Sequence, residues 1–450
     1  MSLMQSTFLR IRMIALLSAF SACLVFNCVQ PIRAQSFGSQ DRDRGVLMLK
    51  IIEDDISKHY YDPGFHGIDL DARFKLAESK IKLTKSNAEV FGVIAQVLLD
   101  FNDSHTAFIP PQRQSSIEYG WLMKMFGENG YITEVKPHSD AEAQGLKSGD
   151  QVLSIDGIRP TRANTWIFYY LYYRLAPRPL IKLVVQSPGE PARPLEVKAK
   201  VQMNKRTLDL TDTIDLNRYE REEDDDELMN AHRFSTFGDE LIIWKMPQFN
   251  LTRDEVDVQI DKVKKHRSLI LDLRGNPGGA EETLLRLIGN LCDHDVTVGE
   301  LKRRKETKPM TAKTRGDGGF KGKLVVLVDS ESASASEVLA RVVQLERRGV
   351  VLGDHTSGKV MRSRVYSHQM GLDTVIVYGA NVTDADIIMS DGVSLEGAGV
   401  TPNLVLLPGA TNLRAHEDPV LSGAASLLGV KLDADEAGKL FPFKWRALNR

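Results

Sequence analysis

Cysteine is nearly absent. The 450-residue chain holds three, Cys23, Cys28 and Cys292. The first two lie in an N-terminal stretch with the marks of an export signal: Arg10 and Arg12 precede an apolar segment from Met13 to Phe26. That segment has the length of a signal core and is short for a membrane span. Cleavage after Ala34 would leave Cys292 alone. One thiol cannot close an intramolecular disulfide, so stability must come from packed cores, and a cysteine-rich zinc cage is excluded. Cys292 ends an apolar helical pattern and reads as a small buried hydrophobe. If the N-terminus stays uncleaved it would act as a membrane anchor, and Cys23 after Ser21-Ala22 is a weaker lipoprotein reading.

Charge of one sign is also lacking. Lys and Arg number 58 against 60 acids, a net −2. Loss of residues 1–34 removes three arginines and no acids, so the exported chain has 55 against 60, or −5. No long basic stripe points to nucleic acid. Lys302-Arg303-Arg304-Lys305 reads as a solvated face, and the acidic run Glu220–Glu227 as a solvated linker. His-Glu-x-x-His and the phosphate-binding Gly-x-x-x-x-Gly-Lys-Ser/Thr pattern are both missing, so a cofactor-free, metal-free reaction is expected.

What is present is a sharp turn. Leu324–Val328 is a short apolar, β-branched run that reads as a buried strand. Asp329-Ser330-Glu331-Ser332-Ala333-Ser334-Ala335-Ser336-Glu337 follows, and Val338–Val343 continues at helical spacing. A side chain on such a turn stands exposed at the end of a sheet, beside the free N–H groups of a helix start. A nucleophile with an oxyanion site needs both. Capping of the helix by serine is the plain structural alternative. A second strand, Leu269–Leu273, runs into Arg274-Gly275-Asn276-Pro277-Gly278-Gly279, where missing Cβ atoms allow close backbone approach. Gly358-Lys359 comes 25 residues after Ser334, beyond one helix and one short strand.

Taken together, Ser-Ala-Ser-Ala-Ser-Glu, Asp-Leu-Arg-x-Asn-Pro-Gly-Gly and the later Gly-Lys resemble the C-terminal processing (tail-specific) peptidases, related to tricorn protease, over roughly residues 40–410. The resemblance implies Ser334 as nucleophile and the N–H groups of Ala335 and Gly278 as the oxyanion hole, with Gly279 as the fallback. It implies Lys359 as general base. The family has a glutamine four residues after that lysine, where this chain has Ser363. Tricorn-type relatives suggest a different base, His105, oriented by Glu396 and assisted by Ser104.

The fold class expected is multidomain α/β. Residues 1–34 are a signal peptide and 35–112 a helical domain. In the latter, Val46, Leu47, Leu49, Ile52 and Ile56 form one helix face, and Ser86–Glu89 opens another helix through Leu99. Residues 118–200 resemble a PDZ domain, by Gly130–Val135, Ala141–Asp150 and Val152–Gly157. Its carboxylate-binding loop would fall at Gly120, Trp121 and Leu122, which lack the usual Gly-small-Gly pattern. Trp166–Tyr173 is either a domain interface or a ligand contact. Residues 201–235 form a linker, 236–410 an alternating strand–helix catalytic domain, crotonase-like by the resemblance, and 411–450 a helical segment whose last helix opens at Asp418-Pro419. Arg315–Lys323 reads as a surface loop. The implied function is a serine endopeptidase of the cell envelope (periplasmic or extracellular) acting on proteins or peptides through their free C-termini. A non-catalytic PDZ-containing scaffold is the alternative; a crotonase-type enzyme fits less well, because of the PDZ words and the nucleophile turn.

Overall fold

The computed structural model describes residues 37–445 apart from 113–114, 204–230 and 372–374. The expected signal segment and acidic run therefore lie outside the described residues. Three helices come first among the described residues: α1 (Ser39–His59), α2 (Leu70–Ile81) and α3 (Asn87–Leu99). Asp69 and Ser86 cap α2 and α3 by accepting from Ala72 N–H and Glu89 N–H. On α1, Leu49, Ile52 and Ile56 are buried, but Leu47 is 49% exposed. Its position falls off the arc that the i, i+3, i+4 spacing of the others defines, which corrects the expected face.

A short strand, β1 (Ala107–Ile109), leaves the helical layer, and β2 (Ser115–Glu118) follows. Five strands then build a separate antiparallel unit in sequential order: β3 (Trp121–Phe126), β4 (Asn129–Val135), β5 (Gln151–Ile155), β6 (Leu180–Gln186) and β7 (Arg193–Lys198). A four-residue helix, α4 (Asp140–Ala143), and a longer one, α5 (Thr165–Tyr169), are carried on its connections; α5 runs on as a π-helical turn over Tyr170–Leu175. The aromatic run uses every face. Phe168 and Tyr172 enter the core of this unit, while the Tyr170 hydroxyl donates to Phe108 C=O of β1 at 2.6 Å. The run is thus core and interface. β8 (Lys200–Met203) returns to pair with β2.

The remaining chain forms two sheets. The first has the order β18-β15-β14-β11-β10-β9, made by β9 (Arg233–Phe237), β10 (Leu241–Lys245), β11 (Ser268–Asp272), β14 (Lys323–Val328), β15 (Val350–Gly353) and β18 (Leu404–Val405). All of its pairings are parallel except that of β9 with β10. Helices α6 (Arg253–Val263), α7 (Glu281–Leu291) and α8 (Ala335–Leu345) pack into its larger core. After α9 (Ala410–Ala415), α10 (Pro419–Leu427) and α11 (Ala434–Leu440) supply a second core on this sheet. The helix at Pro419 is therefore not the last.

The second sheet was not expected. β12 (Val296–Arg303), β13 (Thr307–Ala312), β16 (Arg362–Met370) and the long β17 (Ile376–Met389) are antiparallel, and β1 joins them against β17. Through β1 and β17 the helical layer packs on this sheet: Phe108, Tyr378, Ala380 and Val382 share its core. Phe320, in the segment expected to be a surface loop, is buried beneath the Arg348 guanidinium.

Candidate active site

Ser334 stands where β14 turns into α8, with φ 55° and ψ −117°. A residue bearing Cβ is strained there by about 1–3 kcal/mol, so its surroundings must hold it. They do so on several sides. Ser334 N–H donates to Lys359 C=O at 2.8 Å, and Ala333 N–H to Asn276 C=O at 3.0 Å. The outer serines of the motif are buried and tied down: Ser332 Oγ donates to Leu273 C=O at 2.9 Å and Ser336 Oγ to Asn276 C=O at 3.0 Å. The middle serine faces a cavity of about 460 Å³. The alternation of serine and alanine thus has a physical basis: two serines anchor the turn to the glycine-rich loop, and one is presented.

Glu337 completes the clamp. Its buried carboxylate accepts from Thr356 Oγ1 (2.5 Å), Gly358 N–H (2.7 Å), Lys359 N–H (2.9 Å) and Ser334 N–H (3.1 Å). Burial pushes its pKa up, and these donors oppose the shift. Nothing local in the sequence assigns this glutamate a role.

The oxyanion side differs from expectation. Gly278 has φ +98°, and a Cβ there would lie 2.6 Å from Ser334 Cβ, so only glycine fits. Its N–H, however, already donates to Asn276 Oδ1 at 2.8 Å. Phe249 brackets the next residue, donating to Gly278 C=O and accepting from Ala280 N–H. This pairing turns the N–H of Gly279 away from Phe249. The N–H groups of Gly279 and Ala335 take no partner among the described residues. In this structure the fallback donor, not Gly278, is the free one.

His105 and Ser334 line the same cavity. Asp103 fixes the loop that carries the histidine: its carboxylate accepts from His105 N–H, from Thr106 N–H and from the Tyr60 and Thr383 hydroxyls. The ring Nδ1 lies 2.7 Å from Ser104 Oγ, which donates to Glu396 Oε2 at 2.9 Å. Ser104 has one hydroxyl proton and gives it to the carboxylate. It must therefore accept from Nδ1–H, which leaves Nε2 as the unprotonated nitrogen. Glu396 is held by Ser104 N–H at 2.7 Å and Val360 N–H at 2.8 Å, and burial raises its pKa against those bonds. Burial also pushes His105 down to about 4; nearby Asp103 opposes this, and the Lys359 charge adds to it.

Lys359 does not line the cavity. Its ammonium lies 5.7 Å from the centre of the Trp166 ring. Burial lowers its pKa, while Glu337, Glu396 and Glu331 oppose the shift. Ser363 and Gln248 do line the cavity, and its apolar wall is Leu284, Leu301, Met310, Val338 and Ile387. Gln248 had no local signal in the sequence.

The loop of Gly120, Trp121 and Leu122 is remote from these groups in the chain. Gly120 has φ +73°, and its C=O accepts from Lys136 N–H. The groove between β3 and α5 measures about 20 Å³ and is lined by Tyr119, Trp121, Phe168, Tyr169, Tyr172 and Tyr173. Two carbonyls of β3 are already taken: Met123 C=O by the Tyr169 hydroxyl at 3.0 Å and Met125 C=O by Ser330 Oγ at 2.7 Å. Lys124 is paired with Glu331 at 2.5 Å and Asp329 at 3.4 Å. The groove is closed by its own aromatics, and β3 is docked on the nucleophile loop.

Residues 242–406 match the family model of Peptidase family S41. The chain is 24% identical over 374 residues to the chloroplastic C-terminal processing peptidase of Tetradesmus obliquus, covering 78% of this chain and 75% of that one. It is 26% identical over 292 residues to the carboxyl-terminal-processing protease of a Picosynechococcus species, covering 61% and 64%. Among solved structures it is similar in fold to mature CPAF, with a TM-score of 0.62 at 15% identity over 84% of this chain and 95% of that one. The photosystem II D1 C-terminal processing protease gives 0.50 at 22%, over 88% and 99%. Residues 242–406 thus match peptidase family S41, and with these relatives they support a serine-type peptidase.

Proposed function

We propose that the chain is an endopeptidase of the cell envelope that cleaves proteins recognised at their C-termini, with Ser334 as nucleophile and His105 as general base. The observation that carries the choice of base is the chain His105 Nδ1–H, Ser104 Oγ–H, Glu396, which frees Nε2 on the wall of the cavity that Ser334 also lines. Ser334 Oγ attacks the scissile carbonyl and passes its proton to Nε2. Glu396, acting through Ser104, stabilises the imidazolium. The N–H groups of Ala335 and Gly279 take the oxyanion. The imidazolium then protonates the leaving amine, and water, deprotonated by the same nitrogen, releases the acyl group from Ser334. With its pKa near 4, His105 is neutral and able to accept a proton at neutral pH.

A second assignment keeps Lys359 as base. Its support is the burial that lowers the pKa of that amine and the bond from Ser334 N–H to its C=O. Envelope location rests on the N-terminal segment 1–34, outside the described residues; among the described residues no helix is long and apolar enough to cross a membrane. Residues 118–200 serve as the PDZ-like tail reader in this proposal, which requires Tyr169 to leave the β3 edge. The test is cleavage of a denatured protein with an apolar C-terminus. Ser334→Ala and His105→Ala are expected to lose several orders of magnitude in turnover while staying folded, and Lys359→Ala to retain activity. Loss in Lys359→Ala with retention in His105→Ala moves the base to the lysine. Equal rates for wild type and Ser334→Ala refute the assignment of the nucleophile.

A further inference from the structure

A second cleft, of about 510 Å³, is built on two strands, β12 and β16, that also line the Ser334 cavity. Five of its nine lining residues are cations: Lys58, Arg303, Arg304, Lys305 and Arg364. Its two acids are already engaged, Asp384 by Arg362 and Arg364, and Glu306 by Arg303 and Lys308. Lys58 is paired with Asp54. Arg304 and Lys305 have no carboxylate partner among the described residues. Arg304 is nevertheless held still, donating to Tyr60 C=O at 3.1 Å and lying over the Phe65 ring at 5.2 Å. Arg303 Nε is buried with no hydrogen-bond acceptor. A site with surplus positive charge favours an anionic occupant.

Two strands link this cleft to the reaction site. β12 places Leu301 in the cavity wall and Arg303 in the cleft; β16 places Arg362 in the cavity wall and Arg364 in the cleft. Asp384 pairs with both of the latter arginines. Two residues of strand span about 7 Å, so an extended chain seated at Ser334 reaches the cleft within a few residues.

We propose that the cleft is a substrate subsite that binds carboxylates of the peptide within about four residues of the scissile bond. The proposal rests on the peptidase reading and adds a preference that the catalytic groups alone do not impose. The carboxylates are acidic side chains or the chain end, and the same experiment separates the two.

The experiment uses the full chain as Ser334→Ala, so that binding is read without turnover. Labelled peptides carry Asp and Glu, or Asn and Gln, at positions scanned on either side of the cleavage point, each with a free or amidated end. At low ionic strength the peptide with carboxylates is expected to bind about three- to tenfold tighter, the worth of one or two partly exposed ion pairs. That preference should fall to near parity in about 0.5 M salt and in Lys305→Glu. Lys305 is exposed at a hairpin turn, and Lys58→Glu, on α1, provides an independent second variant. Preference following the block assigns the site to side chains, and preference following the terminus assigns it to the chain end. Equal affinity for all four peptides, or a preference untouched by both variants, overturns the proposal. So does binding of anionic lipid vesicles that depends on Lys305 without any peptide preference. Cleavage by the wild-type chain is scored separately: its failure refutes the peptidase reading, while the binding result still decides the subsite.

Discussion

Replacing Glu396 by glutamine tests the assignment of the base through a residue that touches neither the nucleophile nor the substrate. The carboxylate accepts three bonds, from Ser104 N–H, Ser104 Oγ and Val360 N–H. An amide of the same shape keeps the acceptor at one oxygen position and places a donor at the other. With its oxygen toward Ser104 Oγ, the relay keeps its direction, but the charge is lost and the amide nitrogen faces Ser104 N–H, which loses its acceptor. With its nitrogen there, Ser104 must turn its proton toward His105 Nδ1, and the free lone pair on Nε2 is gone. Through Ser104 the carboxylate lies within about 6 Å of the ring, where an effective dielectric of about 20 makes its attraction for an imidazolium worth about 3 kcal/mol. Loss of that term alone slows the chemical step about a hundredfold, and the reversed relay takes the loss toward the roughly 10⁴ seen when an orienting carboxylate is neutralised in a serine triad. The assay is kcat on a peptide substrate, with thermal unfolding to show that the chain still folds. A Glu396→Gln variant within threefold of wild type would refute the relay and leave Lys359 as the base.

Two further outcomes concern stability. Ser334→Gly is expected to be more stable than Ser334→Ala by about 1–2 kcal/mol in denaturant unfolding, the reverse of the usual order within helices, because φ 55°, ψ −117° strains any residue with a Cβ; equal stability would mean that the turn is not strained. Asp272→Asn should cost about 3 kcal/mol, since the buried carboxylate faces Arg274 and Lys245 and its loss leaves Lys245 without its carboxylate and Arg274 with Asp418 alone. Burial works against this carboxylate, but Arg274 and Lys245 outweigh it and hold its pKa well below 3.8. A depressed folded value means the contribution is complete above about pH 4–5 and fades as pH falls below that, so the gap between wild type and Asp272→Asn should close in acid; a gap independent of pH would refute the pairing.

How much of this was legible in the sequence depended on how local each feature is. The helix starts at Ser86 and Asp418, the strand–turn–helix around Ser334 and the burial of Cys292 all follow from neighbours within a few residues, and the structure has them where the sequence places them. The second sheet was missed because its strands look ordinary one at a time. β17 alternates buried and half-buried positions from Thr383 to Met389, yet its partners lie at 107–109, 296–303 and 362–370. No periodicity within a window reports pairing across such separations.

The same distinction explains the two points at which the proposed site differs from the expected one. The choice between Gly278 and Gly279 turns on Asn276 and Phe249, one two residues away and the other on a different segment, whose bonds decide which N–H remains free. In the proposal, the choice between Lys359 and His105 turns on residues 104, 105 and 396 meeting where His105 lines the cavity of residue 334. The motif that names Lys359 is contiguous and easily read, whereas the relay that orients His105 exists only after β1 has paired with β17 and Val360 has taken Glu396. A reaction centre built from four distant segments is therefore tested at the residues that join the segments. Ser104, Asn276, Glu337 and Glu396 bear no proton to or from the substrate in the proposed step, and each fixes the position or the free donor of one that does.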